Sequence, residues 1–345
     1  MKLKQFQNLL EKEEVDQTIL FSSDSNITYF TQVKPSQAIL VINPKEAHFH
    51  LSKLDQSPQK RGISVEELKK DWKKDLSNEK VRRIGVNEEK LTYHKYQELK
   101  KIFPRAELVN ISDQLKQLRS QKTTEEIKKI TAACNLTSKA FQALIENYSL
   151  KKFKTEAEVA FFLERYIRKT GAELAFPTIV SSSKNSSIPH HKTSSAKLSK
   201  GFIQLDFGAC YQNYCADMSR VLYLGKITKG EKENYELLLQ TQIDTIHQVP
   251  KEEYYFSLEK YARNSLGKYS SYFIHSLGHG VGIDIHEQPS FNEDEKQKIS
   301  NNQVFTIEPG IYFPNKYGLR IEDTLLYDKK IKLLTKSPKN LIRLK

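Results

Sequence analysis

Residues 275–287 read His-Ser-Leu-Gly-His-Gly-Val-Gly-Ile-Asp-Ile-His-Glu, which places three histidines and three glycines within one short stretch. Histidines are the commonest metal ligands and carry protons near neutral pH, and glycines allow the backbone to approach a ligand closely. The stretch therefore predicts a functional site. The fold must then be one that brings the remaining members of that site to these histidines.

The length of the chain and one local boundary predict two domains. A chain of 345 residues exceeds the usual size of one domain. The polar segment Leu118-Arg119-Ser120-Gln121-Lys122 precedes a capping sequence, Thr123-x-x-Glu126, that begins a long helix. We therefore expect an amino-terminal domain at residues 1–120 and a second domain at residues 121–345.

Composition restricts the partners and the compartment. No apolar run reaches the roughly 18 residues of a membrane span, and the segment after Met1 lacks the apolar core of a signal peptide. The net charge of +13 comes from lysines that alternate with acidic residues, as in Glu66-Glu67-Leu68-Lys69-Lys70, rather than from a basic stripe. We expect a cytoplasmic protein that binds neither nucleic acid nor membrane.

The first 120 residues have the pattern of a small α/β unit. Alternating and continuous apolar runs predict strands, and apolar residues at helical spacing predict helices. The expected strands are 18–22, 27–31, 38–42, 47–51, 84–86 and 107–109, and the expected helices are 3–14, 65–76 and 93–103.

The remainder of the chain begins with helices and continues with extended segments. Capping sequences Thr123-x-x-Glu126 and Thr155-x-x-Glu158 each start a helix with one apolar face. Further helices are expected at 231–247 and 258–265, and extended segments at 201–208, 214–223, 304–312 and 318–327, the first two as a β-hairpin. The predicted fold class is α/β (α+β).

Four carboxylates interrupt these apolar extended segments, namely Asp206, Asp217, Glu308 and Glu322. A carboxylate on a buried strand costs several kcal/mol unless a cation accompanies it. A hairpin would bring Asp206 and Asp217 to the same neighbourhood. Four such residues in one domain predict a shared divalent metal.

Adding His279 to the four carboxylates gives an oxygen-rich set of one imidazole and four carboxylates. Structural zinc sites use mostly cysteine and histidine, whereas two divalent ions neutralise four carboxylates and serve hydrolysis by lowering the pKa of bound water. The oxygen-rich ligands favour Mn²⁺, with Co²⁺, Zn²⁺ and Fe²⁺ left open. The three cysteines are expected to remain thiols.

Four motifs carry a resemblance to a known family: Asp206-Phe-Gly with Asp217, Gly278-His-Gly-Val-Gly with His286-Glu, Thr306-Ile-Glu-Pro-Gly-Ile-Tyr, and Arg320-Ile-Glu-Asp. In this order and at these separations they closely resemble the "pita-bread" metallopeptidases of family M24, which include Xaa-Pro aminopeptidases, prolidases and methionine aminopeptidases. The first 120 residues resemble the family's creatinase-type amino-terminal domain, with Ile27-Thr-Tyr-Phe-Thr as the best match. The resemblance implies a catalytic domain with a curved antiparallel sheet covered by helices.

The resemblance also implies roles for individual residues. Asp206 would chelate one metal ion, His279 and Glu308 would hold the other, and Asp217 and Glu322 would bridge the two. His190, His275 and His286 would be outer catalytic histidines, Glu308 a general base, and Arg320 and Tyr312 supporting residues. The loop before His190 lacks a glycine that is common in relatives, so His191 is an alternative to His190.

The function implied is removal of an amino-terminal residue that precedes proline, as in Xaa-Pro aminopeptidases, because the creatinase-type domain accompanies the proline-directed branch. One alternative is an Xaa-Pro dipeptidase (prolidase) that acts only on dipeptides. A different class of alternative is a metal-free binding protein of the same fold, which retention of all five ligands disfavours. The partners expected are a peptide with proline at its second position and a second copy of the chain in a homodimer.

Overall fold

The computed structural model describes residues 2–56, 62–77, 79–148, 153–292, 294 and 296–344. The chain forms two compact units, Met1–Arg119 and Ser120–Lys345.

The first unit is an α/β unit built on one mixed sheet. Its strands are β1 (Gln17–Phe21), β2 (Ala38–Ile42), β3 (Ala47–Leu51), β4 (Ser64–Glu67), β5 (Arg83–Val86) and β6 (Glu107–Asn110), and they lie in the order β4-β3-β2-β1-β5-β6. The helices are α1 (Lys2–Lys12), α2 (Ser25–Thr31), α3 (Trp72–Leu76), α4 (Tyr93–Ile102) and α5 (Ser112–Ser120). The predicted hairpin is confirmed, because β2 pairs antiparallel with β3. Every residue of β2 is buried, as expected for a central strand.

Two predictions for this unit are wrong. Residues 27–31 are helical rather than extended, because Asp24 caps the helix by accepting a hydrogen bond of 2.8 Å from the backbone of Asn26. Residues 65–76 divide into strand β4 and the short helix α3, because residues 64–67 pair parallel with β3. In both places a local partner outweighs the propensity of the segment itself.

The second unit contains the remaining helices and strands. Its helices are α6 (Thr124–Tyr148), α7 (Glu156–Lys169), α8 (Lys229–Gln248) and α9 (Tyr255–Leu266). The strands are β7 (Glu173–Leu174), β8 (Ile179–Ser182), β9 (Gly201–Phe207), β10 (Ala209–Tyr211), β11 (Tyr214–Cys215), β12 (Met218–Leu224), β13 (His279–Gly280), β14 (Glu287–Ser290), β15 (Gln303–Ile307), β16 (Gly310–Phe313), β17 (Tyr317–Arg320), β18 (Asp323–Asp328), β19 (Lys330–Leu333) and β20 (Ile342–Leu344).

Two sheets of this unit contain or directly adjoin most of the predicted site residues. One has the order β20-β12-β9-β8, and β9 pairs antiparallel with β12 so that Asp206 lies opposite Ser219. The predicted hairpin of residues 201–208 and 214–223 is therefore confirmed. The other sheet has the order β14-β13-β15-β18-β19, with antiparallel pairing throughout.

Helices cover these sheets through two hydrophobic clusters. In the first, Phe141 of α6 and Leu163 of α7 pack with Leu205 of β9. In the second, Leu238 of α8 and Tyr255 of α9 pack with strand residues such as those of β15. Burying a side chain of this size contributes roughly 1.5–3 kcal/mol, so the helix layers stabilise the strands that present the site.

The two predicted capping sequences differ in detail. Thr123 and Glu126 form both bonds, since the Thr123 hydroxyl accepts from the backbone of Glu126 and the Glu126 carboxylate accepts from the backbone of Thr123. Thr155 caps α7 by accepting from the backbone of Glu158 at 3.2 Å, but the Glu158 carboxylate accepts from the backbone of Lys154 instead.

The structure also bears on the expected absence of membrane helices and on the state of the cysteines. Within the described ranges, no helix is long and apolar enough to cross a membrane. Cys210 and Cys215 face each other across β10 and β11, and with Cys134 they remain thiols.

Candidate active site

Nine of the ten predicted site residues line a single cavity of about 540 Å³ in the second unit: His190, Asp206, Asp217, His275, His279, His286, Glu308, Arg320 and Glu322. The tenth, Tyr312 of β16, is hydrogen-bonded to two residues of this cavity, Arg320 and His275. The cavity also has apolar lining residues, which are Phe176, Pro177, Ile179 and Ile285. The fold therefore brings together predicted site residues that lie up to 132 positions apart, from His190 to Glu322.

Asp206 and Asp217 come from the hairpin. Asp206 lies on β9, where every residue is buried, and its carboxylate forms an ion pair with the guanidinium of Arg320. Asp217 precedes β12, and the hydroxyl of Thr324 donates a hydrogen bond of 2.7 Å to its backbone oxygen. Thr324 thus fixes the backbone at the point where the Asp217 side chain enters the cavity.

His279 occupies the first position of the two-residue strand β13. Its Nε2 atom lies 3.5 Å from Oδ2 of Asp217 and 3.3 Å from Oε1 of Glu308. Burial lowers the pKa of the imidazole, but the hydrogen bonds to Asp217 and Glu308 raise it well above its ordinary value. The imidazole nitrogen and the two carboxylate oxygens around it form a set of atoms of the kind that binds a metal cation.

Glu308 and Glu322 follow strands β15 and β17. Thr306 connects one of them to β13, because its hydroxyl accepts from the backbone of His279 at 3.1 Å and donates to Glu308 at 3.1 Å. Burial raises the pKa of the Glu308 carboxyl, but His279 lowers it to about 2. Ser219 donates a hydrogen bond of 2.9 Å to Glu322.

Three buried carboxylate oxygens test whether the residues fit a metal ion. Oδ1 of Asp206, Oδ1 of Asp217 and Oε1 of Glu322 have no hydrogen-bond partner among the described residues. Burial, followed by the charge of Asp206, raises the pKa of Asp217 to about 7, and burial raises that of Glu322 well above its ordinary value. Asp217, His279 and Glu322 each present a ligand atom within 4.8 Å of the others. This donor set fits a divalent cation.

The three outer histidines differ in their surroundings. His275 uses both ring nitrogens, since Nδ1 lies 2.8 Å from the Ser276 carbonyl and Nε2 lies 3.0 Å from the Tyr312 hydroxyl. The ring of His286 lies 4.3 Å from that of His279. Burial, more than any neighbouring charge, lowers the pKa of both His275 and His286, which keeps them neutral. His190 is exposed in the cavity, and no described residue is hydrogen-bonded to its ring.

Two polar residues beside the cavity were not recognised in the sequence. Ser219 accepts a hydrogen bond of 2.9 Å from Nε of Arg320 while donating to Glu322, so it connects two predicted site residues. Glu156 is fully buried at the start of α7, where the sequence indicated only the beginning of a helix. The position of Ser219, two residues after Asp217 and near the start of β12, was the available signal for it.

The fold and the carboxylate-rich cavity define a metal-dependent hydrolase of the metallopeptidase class. Models of known families match residues 2–121 as Creatinase/Prolidase N-terminal domain and residues 128–329 as Metallopeptidase family M24. The second match spans more than half of the chain, and the chain therefore belongs to metallopeptidase family M24. The predicted family is confirmed, and so is the prediction that the chain is a hydrolase rather than a metal-free binding protein.

Relatives match over the full length of the chain. The Xaa-Pro dipeptidase of Pyrococcus horikoshii is 33% identical over 349 residues, which cover 99% of this chain and 98% of that protein. The crystal structure of the prolidase from Pyrococcus horikoshii OT3 has a TM-score of 0.89 at 32% identity and covers 99% of both chains. The X-Pro aminopeptidase from Thermotoga maritima MSB8 has a TM-score of 0.83 at 29% identity, over 96% of this chain and 98% of that one. The predicted fold class, a creatinase-type domain followed by a pita-bread domain, is confirmed.

Proposed function

We propose that this protein is an Xaa-Pro dipeptidase, which hydrolyses the bond between the first residue and proline in dipeptides. The observation that carries this proposal is the full-length similarity to the Xaa-Pro dipeptidase of Pyrococcus horikoshii, at 33% identity over 99% of this chain. The second candidate is the Xaa-Pro aminopeptidase that the sequence motifs imply, because the Thermotoga maritima X-Pro aminopeptidase is also similar at 29% identity.

The lining of the cavity supports a substrate with proline at its second position. Phe176, Pro177, Ile179 and Ile285 offer apolar surface to the pyrrolidine ring of proline. Lys192 supports a dipeptide in particular, because a dipeptide carries its free carboxylate next to that ring. Arg320 is already bonded to Asp206, Tyr312 and Ser219, whereas Lys192 is exposed and has no ion pair with a described residue.

The metal ligands in this proposal are Asp206, Asp217, His279, Glu308 and Glu322, which would hold two divalent ions. We propose Mn²⁺, because four of the five ligands are carboxylates. When bound, the ions lower the pKa of a coordinated water and polarise the scissile carbonyl. Asp206 and Asp217 supply buried oxygens without other described partners, and so does Glu322.

Other residues in the cavity supply proton transfer and orientation. Glu308 lines the cavity with a carboxylate oxygen 3.3 Å from Nε2 of His279, where it can accept a proton from water and deliver it to the leaving nitrogen. His286 is neutral and lies beside His279, where a ring N–H can donate to the developing oxyanion. His190 has its ring nitrogens available to orient the substrate.

An assay that compares substrates of different length tests the proposal. The protein, reconstituted with Mn²⁺, is assayed with an Xaa-Pro dipeptide, the same dipeptide extended by one residue, and a matched dipeptide with alanine in place of proline. Cleavage of the first peptide alone is expected. Comparable turnover of the extended peptide would establish the aminopeptidase instead, and release from the alanine dipeptide at the same rate would contradict proline selectivity.

Two further parts of the proposal concern assembly and metal content. We propose a homodimer, for which the expected mass in solution is twice the 40.0 kDa of the chain. Light scattering measures that mass, and elemental analysis of the same sample measures bound metal. Two equivalents of metal per chain are expected, and one equivalent would contradict a dinuclear centre.

A further inference from the structure

Glu156 is a fully buried carboxylate outside the set of metal ligands. It is the first residue of α7, and its two oxygens bind different segments of the chain. Oε1 accepts hydrogen bonds from the backbone of Ser182, at 2.8 Å, and from the side-chain amide of Asn185, at 2.9 Å. Both donors precede His190, at the end of β8 and in the short 3₁₀ turn that follows it.

The other oxygen, Oε2, binds the segment after His190. It lies 3.0 Å from Nε2 of His191, and it accepts from the backbone and the hydroxyl of Ser194 at 3.3 and 3.0 Å. Because a carboxylate only accepts hydrogen bonds, the proton of the His191 ring must lie on Nε2. Both His190 and His191 line the cavity, but Glu156 engages Nε2 of His191, whereas no described residue is hydrogen-bonded to the ring of His190.

The segment after His190, residues 191–196, is attached to the start of α7 by two further hydrogen bonds. The backbone N–H of Glu156 donates to Ala196 at 3.1 Å, and that of Ala157 donates to Ser194 at 3.0 Å. Burial raises the pKa of Glu156, but the hydrogen bonds from Asn185, Ser182, His191 and Ser194 lower it below its ordinary value, which keeps the carboxylate charged. A buried charge with this many donors is strongly constrained in position.

We propose that Glu156 is a positioning residue, which fixes the segments on both sides of His190 and determines that the ring of His190, rather than that of His191, is available to the substrate. The inference rests on the proposed peptidase function. It assigns Glu156 an effect on the reaction that is transmitted through His190, without contact with substrate or metal. Misplacing a catalytic group by about 1 Å can cost about 100-fold in rate.

The first test does not depend on activity. Ring resonances of His190 and His191 are assigned by NMR in the wild-type protein and in the variants Glu156→Gln and Glu158→Gln. Glu158 is the matched control, because it lies in the same helical turn and is exposed. We expect Glu156→Gln to shift the signals of both histidines and Glu158→Gln to leave them unchanged. A His190 signal that stays at its wild-type position in Glu156→Gln would overturn the positioning role.

The second test is a double-mutant cycle on turnover of the Xaa-Pro dipeptide, with Glu156→Gln, His190→Ala and the double variant. If Glu156 acts through His190, Glu156→Gln lowers kcat about 10- to 100-fold in the wild-type background and has no further effect in His190→Ala. Losses that multiply would mean a general structural role and would overturn the proposal. Metal content is measured for every variant, and it is expected to equal that of the wild type.

Two milder variants serve if Glu156→Gln does not fold. Asn185→Ala removes a donor on one side of His190, and His191→Phe removes one on the other side. Each is expected to shift the His190 signal and to lose its effect on kcat in the His190→Ala background. Wild-type signals and wild-type kcat in both variants would refute the positioning role. The NMR readout separates this failure from failure of the proposed function, since it needs no substrate.

Discussion

The hydroxyl of Tyr312 lies 3.0 Å from Nε2 of His275 and accepts a hydrogen bond of 2.7 Å from Arg320. Since a guanidinium only donates, the hydroxyl proton of Tyr312 is left for His275. The proton of His275 then lies on Nδ1, which faces the Ser276 carbonyl at 2.8 Å. Both ring nitrogens of His275 are therefore engaged, and the Tyr312 hydroxyl links His275 to Arg320.

Replacing Tyr312 with phenylalanine should therefore disconnect Arg320 from His275. We expect Tyr312→Phe to lower kcat/KM by about 10- to 100-fold with unchanged metal content. Tyr317→Phe is the matched control, because its hydroxyl is bonded to Asn234 at 2.8 Å, away from the cavity. Steady-state kinetics on the Xaa-Pro dipeptide measures both variants, and equal values for the two would contradict the role of Tyr312.

Loss of the Asp217 carboxylate should remove the metal centre. We expect Asp217→Asn and Asp217→Ala to lose bound metal and to reduce turnover on the order of 1,000-fold or more, since polarisation by a metal contributes several kcal/mol. Asp328→Asn, an exposed change at the end of β18, should behave as wild type. Elemental analysis and kinetics provide the measurements. An active Asp217→Ala protein would rule out a bridging role for this residue.

The raised pKa of Asp217 predicts a pH dependence for the metal-free protein. Burial, with the charge of Asp206, raises this pKa to about 7, compared with about 3.9 in an unfolded chain. Stability from the protonated carboxyl is fully present below about pH 4 and is lost as the pH rises through about 7. With chelator present, Tm should fall from pH 5 to pH 8, and Mn²⁺ should restore it at pH 8.

The variant Asp217→Asn separates the titration of Asp217 from the titration of other groups. Asp217→Asn has no carboxyl to ionise, so its metal-free Tm should fall less between pH 5 and pH 8 and should be less responsive to Mn²⁺. At pH 8, the free energy of unfolding of metal-free Asp217→Asn should exceed that of the metal-free wild type by on the order of 2–4 kcal/mol. Calorimetry in chelator gives both curves, and parallel curves would exclude Asp217 as the source.

Close backbone packing around β13 predicts that replacing Gly278 destabilises the protein. A Cβ atom at Gly278 would lie 2.2 Å from the backbone oxygen of Thr306. We expect Gly278→Ala to reduce the free energy of unfolding by about 1–3 kcal/mol and to lower metal affinity at His279. Gly230→Ala in helix α8 is the control, because a Cβ atom at Gly230 would meet no other group within 4 Å. This substitution should raise the free energy of unfolding by up to about 1 kcal/mol. Chemical denaturation with metal titration checks both, and a Gly278→Ala protein as stable as wild type would be contrary evidence.

Lys192 should distinguish a free carboxylate from a blocked one. Because the lysine is exposed, we expect Lys192→Gln to raise KM for an Xaa-Pro dipeptide only about 2- to 5-fold, with kcat unchanged. The same dipeptide with an amidated carboxyl end should show no difference between variant and wild type. Lys197→Gln, exposed in the same loop, is the control. An equal rise in KM for the amidated peptide would exclude carboxylate recognition.

The sequence predicted the elements whose signal is local and strong. Carboxylates within apolar runs indicated Asp206, Asp217, Glu308 and Glu322, because buried charge is rare without a cation. The predicted pairing of residues 201–208 with 214–223 also followed from adjacent segments. The comparisons then identified the same family as the motifs did.

Other features depended on contacts that no local pattern reveals. Residues 27–31 have the composition of a strand, but the cap at Asp24 and burial of the segment make it a helix. Glu156 looked like an ordinary residue in the first turn of a helix, although its partners lie 26 to 38 positions away. The choice between His190 and His191 likewise depends on Glu156, so the sequence left it open.

The glycines on both sides of His279 are required by the packing of the strands, independently of the metal. At Gly280, a Cβ atom would lie 2.2 Å from the backbone oxygen of Gln288, and at Gly278 it would meet Thr306. The space between these strands thus depends on glycine whether or not a metal is bound. A lineage that abandoned peptide hydrolysis could lose Asp217 or Glu322 and keep both glycines. The presence of the glycines therefore indicates the fold, whereas the presence of the carboxylates indicates the metal-dependent reaction.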